Sequence, residues 1–325
     1  MGGYLGPEKM LMGPSYDNPK GFWERLDVVK LNERLLNSAG CKWDAILNFK
    51  INAIPDGEKA NFKKTASSII KELDTHMVWV IKDPRMCLLL PLWLDLLTDP
   101  IIILMSRAPI EIALSLNKRN NFNLNFGIAL WEYYILEALK VSINTLKINI
   151  DFNNLITNPT LSIERLNNEL SLMGVKGLNT LNSEEIMDII DPGLHHEKTM
   201  GTTHRAHMNL NQETLYHSLI DGSCFNIKKI PHLSQGALEN LKMDSDIKRL
   251  EAHTKKLELK NIEYEKLLDD MVVSSNRLFD SMQYKFGSYI GALYRRVLRR
   301  PYHRSYPELK LRSLAKKFQS CRDKQ

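Results

Sequence analysis

The sequence predicts an α/β protein whose parallel sheet is flanked by helices and followed by a helical C-terminal extension. Three observations predict it. Two short apolar runs, Met77-Val78-Trp79-Val80-Ile81 and Ile101-Ile102-Ile103-Leu104-Met105, are continuous and rich in β-branched residues, as parallel strands buried on both faces are. Amphipathic helical spacing alternates with these runs, which is the doubly wound order. A heptad follows the alternation.

Taken in order, the start Met1-Gly2-Gly3-Tyr4-Leu5-Gly6-Pro7 resembles the glycine-terminated end of a helix running into a loop. Leu26, Val29, Leu31, Leu35 and Leu36 then predict a helix over 23–38, stopped by Gly40. Phe62, Ile69, Ile70 and Leu73 line a second helix over 57–74. The first strand is expected at 77–81. It ends in Lys82-Asp83-Pro84-Arg85, and the almost wholly apolar 87–97 is expected to be a buried crossover helix, closed by Asp99-Pro100. The second strand, 101–105, ends in Ser106-Arg107-Ala108-Pro109, and Pro109 opens a helix where its missing N–H costs nothing. A helix over 124–144, carrying Ile128, Trp131, Ile135 and Leu139, leads to a third strand at 146–152. A loop at 153–159 and a helix at 161–173, closed by Gly174, complete the alternation.

From 179 to 234 the periodicity fades. His195-His196 and His204-x-x-His207 invite a metal reading, but no nearby Cys or helix supports it, so solvated or hydrogen-bonding histidines are expected. The loop Gly201-Thr202-Thr203-His204-Arg205 lacks the preceding strand of a phosphate loop. A heptad then runs through Ile247, Leu250, Thr254, Leu257, Asn261, Tyr264, Leu268, Met271, Ser275, Leu278 and Met282. It predicts a coiled coil that pairs with itself or packs back on the globular part.

The net charge of +6 is unevenly spread. Between Lys285 and Gln325 twelve basic residues face only Glu308 and Asp323, so everything before the tail is net negative. Tyr289-Ile290, Leu293-Tyr294 and Val297-Leu298 interleave with the arginines, a pattern suited to an anionic lipid surface or to a solvated basic tail. Nucleic acid is disfavoured, because no nucleic-acid-binding fold accompanies the charge. Cys41, Cys87, Cys224 and Cys321 are scattered, which argues against a zinc site or a disulfide framework and fits a reducing compartment. With no membrane-span-length apolar run and no signal-like start, the expected location is cytoplasmic, peripheral to the inner membrane if the tail binds lipid.

The strand ends carry the candidate chemistry, since open parallel sheets bind ligands beyond their carboxyl ends. Lys82, Arg85, Ser106 and Arg107 would gather there around an anion, while Glu111, Ser115 and Lys118 or Arg119 share another face of the next helix. The spacing alone fits a solvated polar stripe.

Lys82-Asp83-Pro84-Arg85 with Leu90-Pro91-Leu92-Trp93, then Ser106-Arg107-x-Pro109-x-Glu111-x-Ala113-x-Ser115-Leu116, resemble the bacterial sulfotransferase family. Tyr4-Leu5-Gly6-Pro7, Asp17-Asn18-Pro19-Lys20-Gly21-Phe22-Trp23-Glu24, Ala129-Leu130-Trp131, Leu155 with Asn158-Pro159, and Asp191-Pro192 with His195-His196 are similar to it in the same order, over about 1–205. The resemblance implies a three-layer, P-loop-like fold that uses 3'-phosphoadenosine-5'-phosphosulfate as sulfate donor to a hydroxyl or amine, with a carbohydrate as the expected acceptor. It implies that Arg107 and Ser115 hold the nucleotide's 3'-phosphate and that Lys82 stands near the moving sulfuryl group, with Asp83 and Arg85 as secondary candidates. The family also has an N-terminal strand, a Gly- and Ser/Thr-rich basic loop and a helix that wrap the phosphosulfate, and this chain is expected to lack them. Some members place a histidine shortly after the strand-end lysine, where this chain has Pro84.

The expected organisation is a sulfotransferase-like domain over 1–235, a coiled-coil helix over 236–283 and a basic amphipathic tail over 284–325. A non-catalytic protein that uses the heptad and tail for assembly or membrane attachment is the competing expectation.

Overall fold

The computed structural model describes residues 3–15, 18, 21–179, 181–190, 207–226, 229–298 and 313. The architecture is mixed α/β and mostly helical, with one two-stranded parallel sheet and a long C-terminal helix. Two compact units divide the chain, Met1–Asp246 and Ile247–Gln325.

In the first unit, α1 (Leu26–Ser38) buries Val28, Leu31, Leu35 and Leu36, and α2 (Asp56–Leu73) buries Phe62, Ala66, Ile69, Ile70 and Leu73. Both sets follow the three- and four-residue steps of one helical face. They meet α3 (Met86–Leu94), whose Leu88, Leu89 and Trp93 complete the largest core cluster with Phe126, Ala129 and Leu130. Strand β1 (Ile101–Ser106) is followed by α4 (Pro109–Asn120) and α5 (Leu124–Val141), then by β2 (Leu146–Asp151). The strands pair in parallel, Ile101 with Leu146 through Ser106 with Asp151. α4 and α5 cross closely, because a Cβ on Gly127 would lie 2.9 Å from both the Cα and the Cβ of Ala113.

The sheet differs from the expected three strands. Residues 77–81 form no strand. Their pairing is a single parallel bridge from Trp79 to Tyr4, made by Tyr4 N–H to the Val78 carbonyl and Val80 N–H to the Tyr4 carbonyl. Met77 is 82% exposed, so the run lacks both the ladder and the two covered faces that its composition suggests. β1 has β2 as its one ladder partner among the described residues. Ile148 and Ile150 of β2 lie under α7 (Pro159–Leu172) through Leu166 and Leu170. Their ladder partners Ile103 and Met105 stay 37% and 46% exposed.

Several boundaries also move. The first helix starts at Leu26 rather than Trp23, since Trp23 has φ 59° and Arg25 is extended. The stretch expected to be a loop at 153–159 contains α6 (Phe152–Thr157), capped by the Asp151 carboxylate accepting from Asn154 N–H at 2.8 Å. Pro159 begins α7 two residues early, at the position that tolerates it. The stretch of faded periodicity holds α8 (Ser183–Ile189) and α9 (Leu210–Ile220), each opened by a capping box, Asn182 with Glu185 and Asn209 with Gln212. Asp191, Pro192, His195, His196, Gly201 and Arg205 lie outside the described residues.

The heptad lies on α10 (Gln235–Asp280), about 69 Å long at 1.5 Å per residue. Its first turns bury Ala237 and Leu241 in the main core. A further helix, α11 (Met282–Val297), follows Ser281. Among the described residues no helix is long and apolar enough to cross a membrane.

Candidate functional site

Ser106 and Arg107 leave β1 at the carboxyl end of the sheet. Ser106 is fully buried, and its hydroxyl donates to the Ile150 carbonyl at 3.4 Å, so it serves the ladder. Arg107 is partly exposed. Its Nε donates to Glu111 Oε2 at 3.0 Å, and its guanidinium carbon lies 4.5 Å from the centroid of the Phe152 ring. Glu111 is buried in the first turn of α4, where the helix dipole favours a carboxylate. Ser115 follows Glu111 by four residues, on the same face, half-buried.

Glu111 thus fixes one edge of the Arg107 guanidinium. Among the described residues the two terminal nitrogens, Nη1 and Nη2, take no hydrogen bond or ion pair, and neither does the Ser115 hydroxyl. An arginine held by its Nε edge and its aromatic face keeps its fork for an oxyanion. The spacing put Glu111 and Ser115 on one face of the helix and fitted a solvated stripe; the resemblance paired Arg107 with Ser115, and neither gave Glu111 its holding role.

Lys82 sits apart from this column. Its ammonium donates to the Phe22 carbonyl at 3.0 Å and to Glu24 Oε1 at 2.7 Å, with the side chain half exposed. The loop that meets it is folded back on itself by Met12 N–H to the Glu24 carbonyl and Phe22 N–H to the Met12 carbonyl. Gly21 has φ 84° there, and a Cβ on it would meet the Met12 carbonyl oxygen at 3.3 Å. No hydrogen bond or ion pair among the described residues links Lys82 with Arg107 or Ser115.

Asp83 and Arg85 are absorbed in a buried network. Asp83 Oδ1 accepts from Arg85 N–H at 2.9 Å and from Arg85 Nη1 at 3.0 Å, while its Oδ2 accepts from Asn32 Nδ2 at 2.9 Å. Arg85 Nη2 reaches Glu33 at 2.6 Å. Of the four groups expected to gather at the strand ends, Ser106 and Arg85 therefore have structural partners, Lys82 has its own acceptors, and Arg107 keeps a fork end in hand.

One residue at these strand ends had no signal in sequence. Tyr216 of α9 makes an edge contact with Trp131, ring centroids 6.4 Å apart. Burial, then the negative charges of Asp151 and Glu111, push its hydroxyl up to about 12, against a side-chain hydrogen bond from Asn153. Among the described residues the Asp151 Oδ2 atom is buried with no hydrogen-bond partner. α9 thus closes the strand ends with a neutral phenol rather than with a cation.

The described cysteines are free, and none is primed as a nucleophile. Burial, aided by Asp83, pushes the Cys87 thiol up to about 12, burial and Asp221 push Cys224 up to about 11, and burial raises Cys41. His207 bonds the Asn125 side chain at 3.0 Å. Among the described residues no group of His, Cys, Asp and Glu is arranged to hold a metal. A cavity of about 100 Å³ between the 40–48 loop, Phe126 and the start of α10 includes none of Lys82, Arg107 and Ser115 in its lining.

The chain matches no family model, no curated protein and no solved structure.

Proposed function

We propose that Arg107 and Ser115 form the 3'-phosphate grip of a nucleotide site, and that the chain is a sulfotransferase-family protein with a three-layer, P-loop-like fold. Its donor is 3'-phosphoadenosine-5'-phosphosulfate and its acceptor a hydroxyl or amine, in a carbohydrate. The carrying observation is the fork end of Arg107, held in place by Glu111 and Phe152 yet unbonded among the described residues, with the Ser115 hydroxyl one turn beyond Glu111 likewise unbonded. A planar guanidinium matches a phosphate at two points, and a hydroxyl supplies a further bond. Lys82, held at the end of the 77–81 run by the Phe22 carbonyl and Glu24, is the cation for charge developing on the transferred group.

The test is binding of adenosine 3',5'-bisphosphate by calorimetry. Arg107→Ala is expected to weaken binding about 100-fold, equivalent to about 2.7 kcal/mol. Adenosine 5'-phosphate, which has no 3'-phosphate, is expected to bind both forms equally. Equal affinity of wild type and Arg107→Ala for the bisphosphate overturns the reading.

A second reading, a non-catalytic protein working in assembly or at a membrane surface, is favoured by α11. Phe286, Ile290, Leu293 and Val297 recur at four-, three- and four-residue steps and are all more than half exposed. Lys285, Arg295 and Arg296 accompany them. Such a face suits the headgroup region of an anionic bilayer, where each nearby cation contributes about 1 kcal/mol. Sedimentation of the full chain with phosphatidylserine-containing vesicles, lost in Ile290→Glu/Leu293→Glu and absent with neutral vesicles, is the expected result. Equal sedimentation of the variant counts against it.

A further inference from the structure

We propose that α10 pairs with the α10 helix of a second copy of this chain, parallel and in register. Among the described residues nothing covers the apolar seam of this helix. Leu250, Leu257, Tyr264, Met271 and Leu278 recur every seven residues and are between 48% and 63% exposed, and Ile247 and Leu268 extend the stripe at the alternate seam position. Leucine at this position of the heptad favours two-stranded coils. The seam is narrow for most of its length, with Thr254, Asn261 and Ser275 interrupting the other seam position.

Charge selects the occupant and its direction. The residues that follow Leu250, Leu257 and Tyr264 are all glutamates, Glu251, Glu258 and Glu265, whereas the opposite flank carries His253 and Lys260. In a parallel, in-register pair the flank residue before one seam position faces the opposite flank five residues on in the partner helix. Lys260 then meets Glu265 of the second copy, twice by symmetry, and His253 meets Glu258. The one like-charged pair, Asp246 with Glu251, falls at the end of the seam. An antiparallel pair sets this flank of one helix against the same flank of the other, which is repulsive in registers that overlap the glutamates and leaves Lys260 without a glutamate opposite it. Asn261 adds a second selection. Placed at a seam position, it meets its own copy in a parallel, in-register dimer, and a buried asparagine pair fixes register at a cost in stability. A flanking pattern complementary to itself in one orientation points to a copy of the same helix as partner.

The test uses the full chain, measured by light scattering after size exclusion and by sedimentation equilibrium. Wild type is expected at twice its chain mass of 37.5 kDa. Leu257→Glu/Tyr264→Glu is expected to be monomeric with its core intact, because both side chains are exposed in the single chain. Lys260→Glu is expected to weaken association at least tenfold, and Lys260→Glu/Glu265→Lys to restore it. That rescue separates the parallel pair from other arrangements, since Lys260 and Glu265 lie five residues apart and do not face each other on one helix. A monomeric wild type at micromolar concentration overturns the proposal. So does a dimer that ignores Lys260→Glu, or one that the double charge exchange fails to rescue.

Discussion

Glu132→Ala is expected to lower the unfolding free energy by about 3–4 kcal/mol, read as a shift of the urea midpoint with the slope unchanged. Glu132 is buried in α5, and among the described residues no cation pairs with it. Hydrogen bonds hold its charge instead. Oε1 accepts from Ser234 N–H at 2.6 Å, and Oε2 accepts from the Ser234 hydroxyl at 2.7 Å and from Gln212 Nε2 at 2.8 Å. Ser234 also accepts from Ala237 N–H at the start of α10, and Asn209 Nδ2 closes the loop by donating to the Ser234 hydroxyl. The carboxylate therefore sits at two helix N-termini, α9 and α10, where the backbone dipoles favour it. Removing it recovers a desolvation cost but leaves the donors of Ser234 and Gln212 buried without acceptors, and the second effect is the larger. Glu132→Gln is expected to cost less, about 2 kcal/mol. Its amide still offers one oxygen, but its NH₂ group opposes Gln212 Nε2, and Gln212 cannot turn without giving up the bond its own oxygen accepts from Asn209 N–H.

That network marks where sequence reasoning ends. Glu132, Gln212 and Ser234 are 80 and 102 residues apart along the chain, and no local pattern joins them. Local patterns served where one turn of helix determines the outcome: the buried faces of α1 and α2 and the proline start of α4. The capping boxes at Asn182 and Asn209 were present in the sequence, but α9 carries Leu210, Leu215, Tyr216, Leu219 and Ile220 around much of its circumference, so no helical period stands out. At 77–81 composition misled in the opposite direction. β-branched residues favour extended backbone, yet a strand also needs a neighbour along its length, and among the described residues Tyr4 alone bridges to the run. Tyr216 reaches Asp151 and Glu111 by tertiary packing alone.

The three candidate residues divide along the same line. Arg107 lies just before α4 and Ser115 within it, so they are close along the chain, and the resemblance paired them. Lys82 depends on a loop sixty residues earlier, whose Phe22 carbonyl and Glu24 carboxylate hold the ammonium. Any role for Lys82 beside a reacting group therefore includes exchanging or sharing Glu24, a competition that Arg107 does not face because Glu111 holds it by a different edge.

Asp83→Asn, a change of one atom next to Lys82, is expected to destabilise the first unit by about 2 kcal/mol, and Asp83→Ala by about 3–5 kcal/mol. The asparagine variant is the more informative because it preserves volume. Its oxygen can keep the bonds to Arg85, so its NH₂ must face the Asn32 Nδ2 that now donates to Asp83. Asn32 cannot invert to accommodate it, since its own oxygen accepts from the fully buried Trp93 Nε1 at 3.0 Å. Two donors would meet in a buried site, and the next acceptor, Met86 Sδ at 3.7 Å, is weak. Asp83→Ala removes the clash but leaves Arg85 with Glu33 as its remaining acidic partner and Asn32 without its strong acceptor. If thermal and urea melts of Asp83→Asn match wild type, the Asn32 amide is not committed to donating to Asp83, and this network does not tie α1 and α3 to the Lys82 run. If they fall as expected, a side chain that sequence made a secondary site candidate is instead the anchor that fixes the backbone on which Lys82 stands.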